Sequence, residues 1–183
     1  MTRTLDIVLS AAGLIITAPL LALLSLMGWC DTGSPFFRQE RVGRHQRPFV
    51  LYKFRTMRLE TPQVATHLVA AAAVTPFGGF LRRTKLDELP QLWNVLRGEM
   101  SLVGPRPCLI SQTELIQARE AHGIFDVRPG ITGLAQLNGV DMSDPMRLAT
   151  LDAAMLRQLT LLAYLRYILW TATGRGAGDQ VRG

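Results

Sequence analysis

Leu81-Arg-Arg-Thr-Lys-Leu-Asp-Glu-Leu-Pro-Gln-Leu-Trp-Asn-Val-Leu-Arg-Gly-Glu-Met-Ser-Leu-Val-Gly-Pro-Arg-Pro107 is the stretch on which the reading of this chain turns. Pro90 is well tolerated only in the first turn of a helix, where its missing N–H would have no partner anyway. Apolar residues at 89, 92, 93 and 96 recur at helical spacing, so a helix is expected over Leu86 to Leu96, starting close to Asp87. Such a start places Asp87 and Glu88 among free amides at the positive end of the helix dipole, which stabilises anions. Gly104-Pro105-Arg106-Pro107 has to be an extended or turning loop. Adjacent acids at a helix start are most often simple caps. Here Arg82, Arg83 and Lys85 precede the pair, and Arg97 and Arg106 follow it. Cations for phosphate oxygens, beside carboxylates that can bind a metal or attack phosphorus, form the mixture that phosphate chemistry needs.

Upstream, residues 59 to 79 hold Pro62, Pro76, Gly78, Gly79 and the run Ala70 to Ala73, and read as a helical turn or loop. Phe49-Val-Leu-Tyr-Lys-Phe54 reads as a short strand. It lies in a basic cluster in which Arg38, Arg41, Arg44, Arg47, Lys53, Arg55 and Arg58 face one acid, Glu40. Beside a membrane segment, such a cluster belongs on the cytoplasmic side, near anionic headgroups. The segment before it, Leu5 to Cys30, is almost wholly apolar, with Asp6 its one charge. A signal peptide is disfavoured, because only Arg3 flanks the run and no small-x-small site precedes Asp31. Length permits spanning: about 24 residues at ~1.5 Å each reach ~36 Å, beyond the ~30 Å hydrocarbon core. Pro19 divides the run into halves of ~21 and ~17 Å, neither long enough to span. A kinked spanning helix is one alternative. The other is a hairpin broken at Thr17-Ala18-Pro19, with the Thr17 hydroxyl serving a freed carbonyl. Both are open on physical grounds.

Downstream, Ser111 to Ala121 reads as a helix with a polar face. Arg128-Pro129-Gly130-Ile131-Thr132-Gly133 reads as another turn-rich loop, in which the Arg128 guanidinium and nearby backbone amides suit a phosphate or a uracil edge. From Pro145 to Thr173, apolar residues at 148, 151, 155, 159 and 162 predict one amphipathic helix or two. Tyr164, Tyr167 and Trp170 suit a membrane interface and an ordinary core about equally. The tail from Gly174 reads as loose.

Composition agrees with a membrane-seated protein. Charged residues make up 19 % of the 183, below the usual ~25 %. The net charge of +6 calls for an anionic partner: nucleic acid, anionic lipid or a phosphorylated substrate. Cys30 and Cys108 imply no disulfide framework, and His45, His67 and His122 are too scattered for a zinc site.

Three ordered motifs carry a resemblance. Tyr52-Lys-Phe-Arg-Thr-Met57, the Leu81 to Pro107 stretch, and Val127-Arg-Pro-Gly-Ile-Thr-Gly-Leu-Ala-Gln-Leu-Asn-Gly139 together closely resemble the bacterial sugar transferases, the small monotopic phosphoglycosyl transferases. The resemblance runs from the N-terminus to about Gly178. With the periodicities above, it implies a mixed α/β fold that is mainly helical. Residues 1–30 would form a re-entrant membrane helix hairpin and residues 31–178 a small cytosolic catalytic domain with amphipathic interfacial helices. Residues 179–183 would be a flexible tail.

The resemblance also implies the chemistry. Asp87 would be the nucleophile on the sugar-bearing phosphate of a UDP-sugar, with Glu88 its partner, and both acids would hold Mg²⁺. Lys53, Arg82, Arg106, Arg128, Gln136 and Asp152 would contact substrate. A sugar-1-phosphate, of an N-acetylated hexosamine first and of a hexose second, would pass to polyprenyl (undecaprenyl) phosphate. The route is a phosphosugar-aspartyl intermediate with release of UMP, the first membrane step of glycan assembly.

The expected setting is the cytoplasmic face of the bacterial inner membrane. Both termini would be cytoplasmic, inner-membrane lipids would be partners, nucleic acid would not, and a homodimer is left open. Three features depart from the family pattern: Ala18-Pro19 stands where relatives have Ser-Pro, Ala70 to Ala73 stands where they have an acidic loop, and Tyr164 stands where an Asp is common. The alternative is a membrane-anchored basic module for nucleic acid or anionic lipid. It explains the charge but not Asp-Glu beside Leu-Pro-Gln.

Overall fold

The computed structural model describes residues 2–61 and 71–173. Helix α1 covers Thr2–Thr32 and passes through Pro19. A hairpin β1 (Phe36–Val42) and β2 (Pro48–Phe54) follows, antiparallel with Phe36 opposite Phe54 and Val42 opposite Pro48. Next come α2 (Pro76–Thr84), a 3₁₀ turn at Leu86–Glu88, α3 (Gln91–Arg97) and β3 (Ser101–Val103). Helix α4 (Thr113–Ala121) crosses over to β4 (Gly130–Thr132), which pairs with β3 in parallel. Helices α5 (Leu134–Leu137), α6 (Pro145–Arg157) and α7 (Leu161–Ala172) complete the described chain. The fold is mixed α/β and mainly helical, as expected. The expected tail lies outside the described residues, as does most of the loop after Met57.

Local chemistry accounts for the starts of the helices. The side chain of Thr75 accepts from Gly78 N, that of Asp144 from Arg147 N, and that of Thr160 from Ala163 N. Each cap satisfies an amide that has no partner within its helix. Pro76 and Pro145 follow their caps, where a fixed φ favours helix entry. The segment from Pro145 onward is two helices, parted at Gln158–Thr160 by the Thr160 cap.

The helix expected from Asp87 begins later, at Gln91. The amides of Glu88, Leu89, Leu92 and Trp93 bond three residues back, to Lys85, Leu86, Leu89 and Pro90. Pro90 has no N–H to donate to Leu86, so this entry is wound as 3₁₀ turns and Asp87 sits ahead of α3.

Helix α1 also differs from expectation. It is one element, where a break had been expected at Thr17-Ala18-Pro19. Thr17 Oγ1 donates to Gly13 O at 2.7 Å, one turn back in the same helix, and does not serve the carbonyl that Pro19 leaves without a donor. One face of the helix is buried at Asp6, Ser10, Leu24 and Gly28, at spacings close to whole turns of a helix with ~3.6 residues per turn. The opposite face exposes Ile7, Val8, Ile15, Ile16, Leu23, Leu26 and Trp29.

The buried face holds α1 to the domain at both ends. Near its start, Arg3 donates to the carbonyls of Val95 (2.6 Å) and Leu96 (3.0 Å) at the end of α3. There a cation also meets the negative end of a helix dipole. Asp6 Oδ1 accepts from Ser101 Oγ (3.0 Å), Leu102 N (2.8 Å) and Tyr164 Oη (2.5 Å). Near its end, Leu24 packs in a core cluster with Phe54 and Leu81, and Asp31 accepts from Thr75 Oγ1 at 2.7 Å. Tyr164 is therefore a core residue and not an interfacial one. Burial and its bond to Asp6 push its phenol well above the ordinary range. Its neighbours Leu161, Leu162, Leu165 and Leu169 form the exposed apolar face of α7.

Candidate active site

The turn Leu86–Glu88 packs against β2 and α2, which bring the basic residues of two motifs to it. Its entry is strained. Lys85, the last residue before the turn, has φ +58°, a left-handed conformation uncommon for a side chain of this kind. That residue ends α2 and reverses the chain so that Asp87 points inward, 3 % exposed. An acid so buried is costly unless it has polar or charged partners.

The surrounding groups are cationic. Glu88 Oε1 accepts from Arg106 Nη2 at 2.8 Å, and both side chains keep some exposure, 12 % and 22 %. Lys85 lies within reach of the same pair. Burial lowers its ammonium pKa most, Glu88 raises it and Arg106 lowers it again. Arg82 Nε donates to Thr56 Oγ1 at 2.8 Å, which fixes the guanidinium against the end of the β2 motif. That junction is tight: a side chain at Gly78 would put its Cβ 2.0 Å from Thr56 O. Lys53, on β2, is buried and lies 5.7 Å from the Phe37 ring centre.

Arg106 is carried by a loop that meets Arg128-Pro129-Gly130 back to back. A Cβ at Gly130 would lie 2.0 Å from Gly104 N, and one at Gly104 would lie 2.6 Å from Arg128 O. Only glycine allows this approach.

Asp87, Glu88, Lys53, Arg82 and Arg106 thus lie on elements packed around one turn, and Lys85 and Thr56 join them. Neither of these two was singled out from the sequence as a substrate contact. For Thr56 the available signal was its place in the Tyr52 to Met57 motif.

Three expected contacts have other settings. Arg128 Nε donates to Gly98 O at 2.7 Å. It lines a cavity of about 210 Å³ with Thr2, Asp6, Arg44 and Tyr164, to which no residue of the Leu86–Glu88 turn contributes. Gln136 Nε2 donates to Ile131 O at 2.8 Å and braces its own turn. Asp152 is buried and accepts two bonds from Arg119, at 3.0 and 2.6 Å. Sequence spacing could not show that pairing, because the two residues are 33 positions apart on different helices.

Among the described residues, no three His, Cys, Asp or Glu side chains converge on a metal position. Two carboxylates still suit Mg²⁺, which typically takes one or two from protein and completes its shell with waters and substrate phosphates. The arrangement can therefore bind a diphosphate between cations and present a buried carboxylate to one phosphorus atom.

The chain is similar to several curated proteins. It is 41 % identical over 154 residues to the UDP-galactose-lipid carrier transferase of Erwinia amylovora, a match over 75 % of this chain and 32 % of that protein. It is 40 % identical over 154 residues to the undecaprenyl-phosphate galactose phosphotransferase of Salmonella typhimurium, with the same coverage of 75 % and 32 %. It is 44 % identical over 143 residues to the UDP-glucose:undecaprenyl-phosphate glucose-1-phosphate transferase of Caulobacter vibrioides, with coverage of 75 % and 54 %. The matches thus take in about a third to a half of those proteins' own length. The family model for the bacterial sugar transferases matches residues 1–175, nearly the whole sequence, and the chain belongs to that family.

Proposed function

We propose that this protein transfers a sugar-1-phosphate from a UDP-sugar to polyprenyl phosphate, with Asp87 as the nucleophile. The observation that carries this reading is the burial of Asp87 in a strained turn whose neighbouring elements bear Lys53, Arg82, Lys85 and Arg106. An Asp87 oxygen attacks the phosphorus that bears the sugar. The bond from that phosphorus to the bridging oxygen breaks, and UMP leaves with the electron pair. An oxygen of polyprenyl phosphate then attacks the same phosphorus, and the Asp87 carboxylate leaves. The product is a polyprenyl diphosphate sugar.

Arg82, Arg106 and Lys53 hold phosphate oxygens in this scheme, and Arg106 can turn from Glu88 toward substrate because their pair is partly open. Asp87 and Glu88 would hold Mg²⁺, which supplies charge neutralisation at the phosphates when bound. For the sugar, the family resemblance favours an N-acetylated hexosamine. The relatives named above, transferases of galactose or glucose, favour a hexose as the second reading.

The test is a panel of UDP-sugars. Enzyme with the right UDP-sugar alone should release UMP in stoichiometric amount and gain the mass of a phosphosugar, and turnover with lipid should follow a ping-pong pattern. Intersecting double-reciprocal lines with no adduct would overturn the covalent route. Salt-sensitive oligonucleotide binding with no UMP release would favour the basic binding module instead.

We also propose a monotopic seat on the cytoplasmic membrane face. Both ends of α1 are tied to one domain, and its outer face is apolar. A spanning helix would carry its ends to opposite faces of a ~30 Å core and strip one end from the domain. Both termini are therefore expected in the cytoplasm. The check is a cysteine at Thr2, in a variant lacking Cys30 and Cys108, treated with an impermeant thiol reagent in intact cells. Strong labelling would mean that the helix spans.

A further inference from the structure

The loop that delivers Arg106 to Glu88 has little means of holding itself. Pro105 and Pro107 lack amide protons, so Pro105-Arg106-Pro107 offers one backbone donor in three residues. Its carbonyls are instead held from outside, one after another. Gly130 N donates to Pro105 O at 2.9 Å, Arg119 Nη1 to Arg106 O at 2.7 Å, Arg41 Nη1 to Pro107 O at 3.1 Å, and Val42 N to Cys108 O at 2.9 Å. Two of these four donors are buried guanidinium groups.

Arg119 is the more constrained of the two. Its Nε and Nη2 both bond Asp152 Oδ2, and both side chains are 2 % exposed. The planar fork is thereby fixed, and its remaining nitrogen reaches the carbonyl of Arg106 itself. A chain of contacts runs from α6 through α4 to the candidate active site: Asp152 to Arg119, Arg119 to the Arg106 backbone, and the Arg106 side chain to Glu88.

We propose that Arg119, anchored by Asp152, is a positioning residue that sets the Arg106 backbone and so aims the Arg106 guanidinium at Glu88 and at substrate phosphate. Asp152 acts here through Arg119, not by touching substrate. This rests on the reading of the Asp87–Glu88 site given above.

Removing one member alone would strand a buried charge, so the pair is exchanged together, as Arg119→Met with Asp152→Leu. The thermal midpoint should stay within a few degrees of wild type, because an apolar pair of similar volume replaces a buried ion pair. Catalytic efficiency, kcat/KM for UMP release, should fall at least tenfold. In an Arg106→Lys background the same exchange should have little further effect, since its action passes through Arg106. Unchanged efficiency in the folded pair variant would overturn the proposal, and so would an effect that multiplies with Arg106→Lys.

If the pair variant does not fold, Arg119→Lys serves. It keeps the charge facing Asp152 but cannot donate to Asp152 and to Arg106 O in the fork geometry. The same loss is expected, and wild-type efficiency would overturn the claim. Amide hydrogen exchange over residues 103–110 reads the positioning without any turnover. Faster exchange at Gly104, Arg106 and Cys108 is expected, and unchanged protection there would count against Arg119. Absence of UMP release by the wild-type protein from every UDP-sugar would instead defeat the functional reading, and the exchange result would still decide the positioning.

Discussion

Asp6 and Asp87 are both buried, at 2 % and 3 % exposed, yet their surroundings differ in kind. Asp6 is met by two hydroxyls and a backbone amide, from Tyr164, Ser101 and Leu102, each within 3.0 Å. Those donors sit on β3 and α7, so the carboxylate ties three elements together. Asp87 sits in a single strained turn, beside elements that carry long cationic side chains. Short neutral donors on packed elements offer no charge to a phosphate. Lysines and arginines can exchange a protein partner for a phosphate. Burial of an acid therefore does not mark a candidate site by itself; the charge of the groups around it is what separates Asp87 from Asp6.

That contrast has three measurable edges. Asp87→Asn should lower turnover on the order of 10⁴-fold or more while the melting temperature holds, because an amide cannot form the acyl phosphate. Substantial turnover in that variant would remove Asp87 from the mechanism. Asp6→Ala should do the reverse. Three donors lose their acceptor, at about 1–3 kcal/mol for each left unsatisfied, and the melting temperature should fall on the order of 10 °C or more. Activity per folded molecule should persist in a detergent-stabilised preparation at low temperature. An unchanged melting temperature would show that Asp6 holds nothing together.

The smallest effect belongs to Tyr164→Phe, which keeps the ring and removes one bond, for about 1–2 kcal/mol. It should also change the alkaline limb of stability. The folded protein holds the Tyr164 proton more tightly than the ordinary value of 10.0, so stability is full below that pH and falls above it as the unfolded chain ionises. Denaturation midpoints measured from pH 8 to 11 should show a shallower fall in Tyr164→Phe. Parallel slopes would mean that Tyr164 does not titrate differently on folding.

Sequence reading recovered what local rules encode. The strand at Phe49 to Phe54, the helix after Ser111 and the loop at Gly104 follow from turn residues and spacing, whereas the loop expected over Arg128 to Gly133 contains strand β4 at Gly130–Thr132, because Gly130 and Thr132 pair with β3. Strand β1 was missed because its inward side carries Gln39 and Arg41, so Phe36 to Val42 lacks the alternation that marks a half-buried strand. Pro90 announced a helix start but not the 3₁₀ winding ahead of it. The direction of a side chain out of a loop was not legible either. Arg106 and Arg128 look equivalent in sequence, yet one reaches Glu88 and the other Gly98 O. The partners of Asp6 and Asp152 are fixed by tertiary contacts between distant segments, which no local pattern reports.

The bond from Tyr164 to Asp6 spans 158 residues, and it sets an order of events in time. Helix α1 precedes its partners along the chain, and Asp6 has none of these donors until β3 and then α7 have been made. At roughly 5–20 residues per second, Asp6 waits on the order of 10 s for its last donor. Throughout that interval the helix carries a carboxylate and the Ser10 hydroxyl among apolar residues. The buried face of α1 is therefore closed over Asp6 only once α7, the last described helix, has been made.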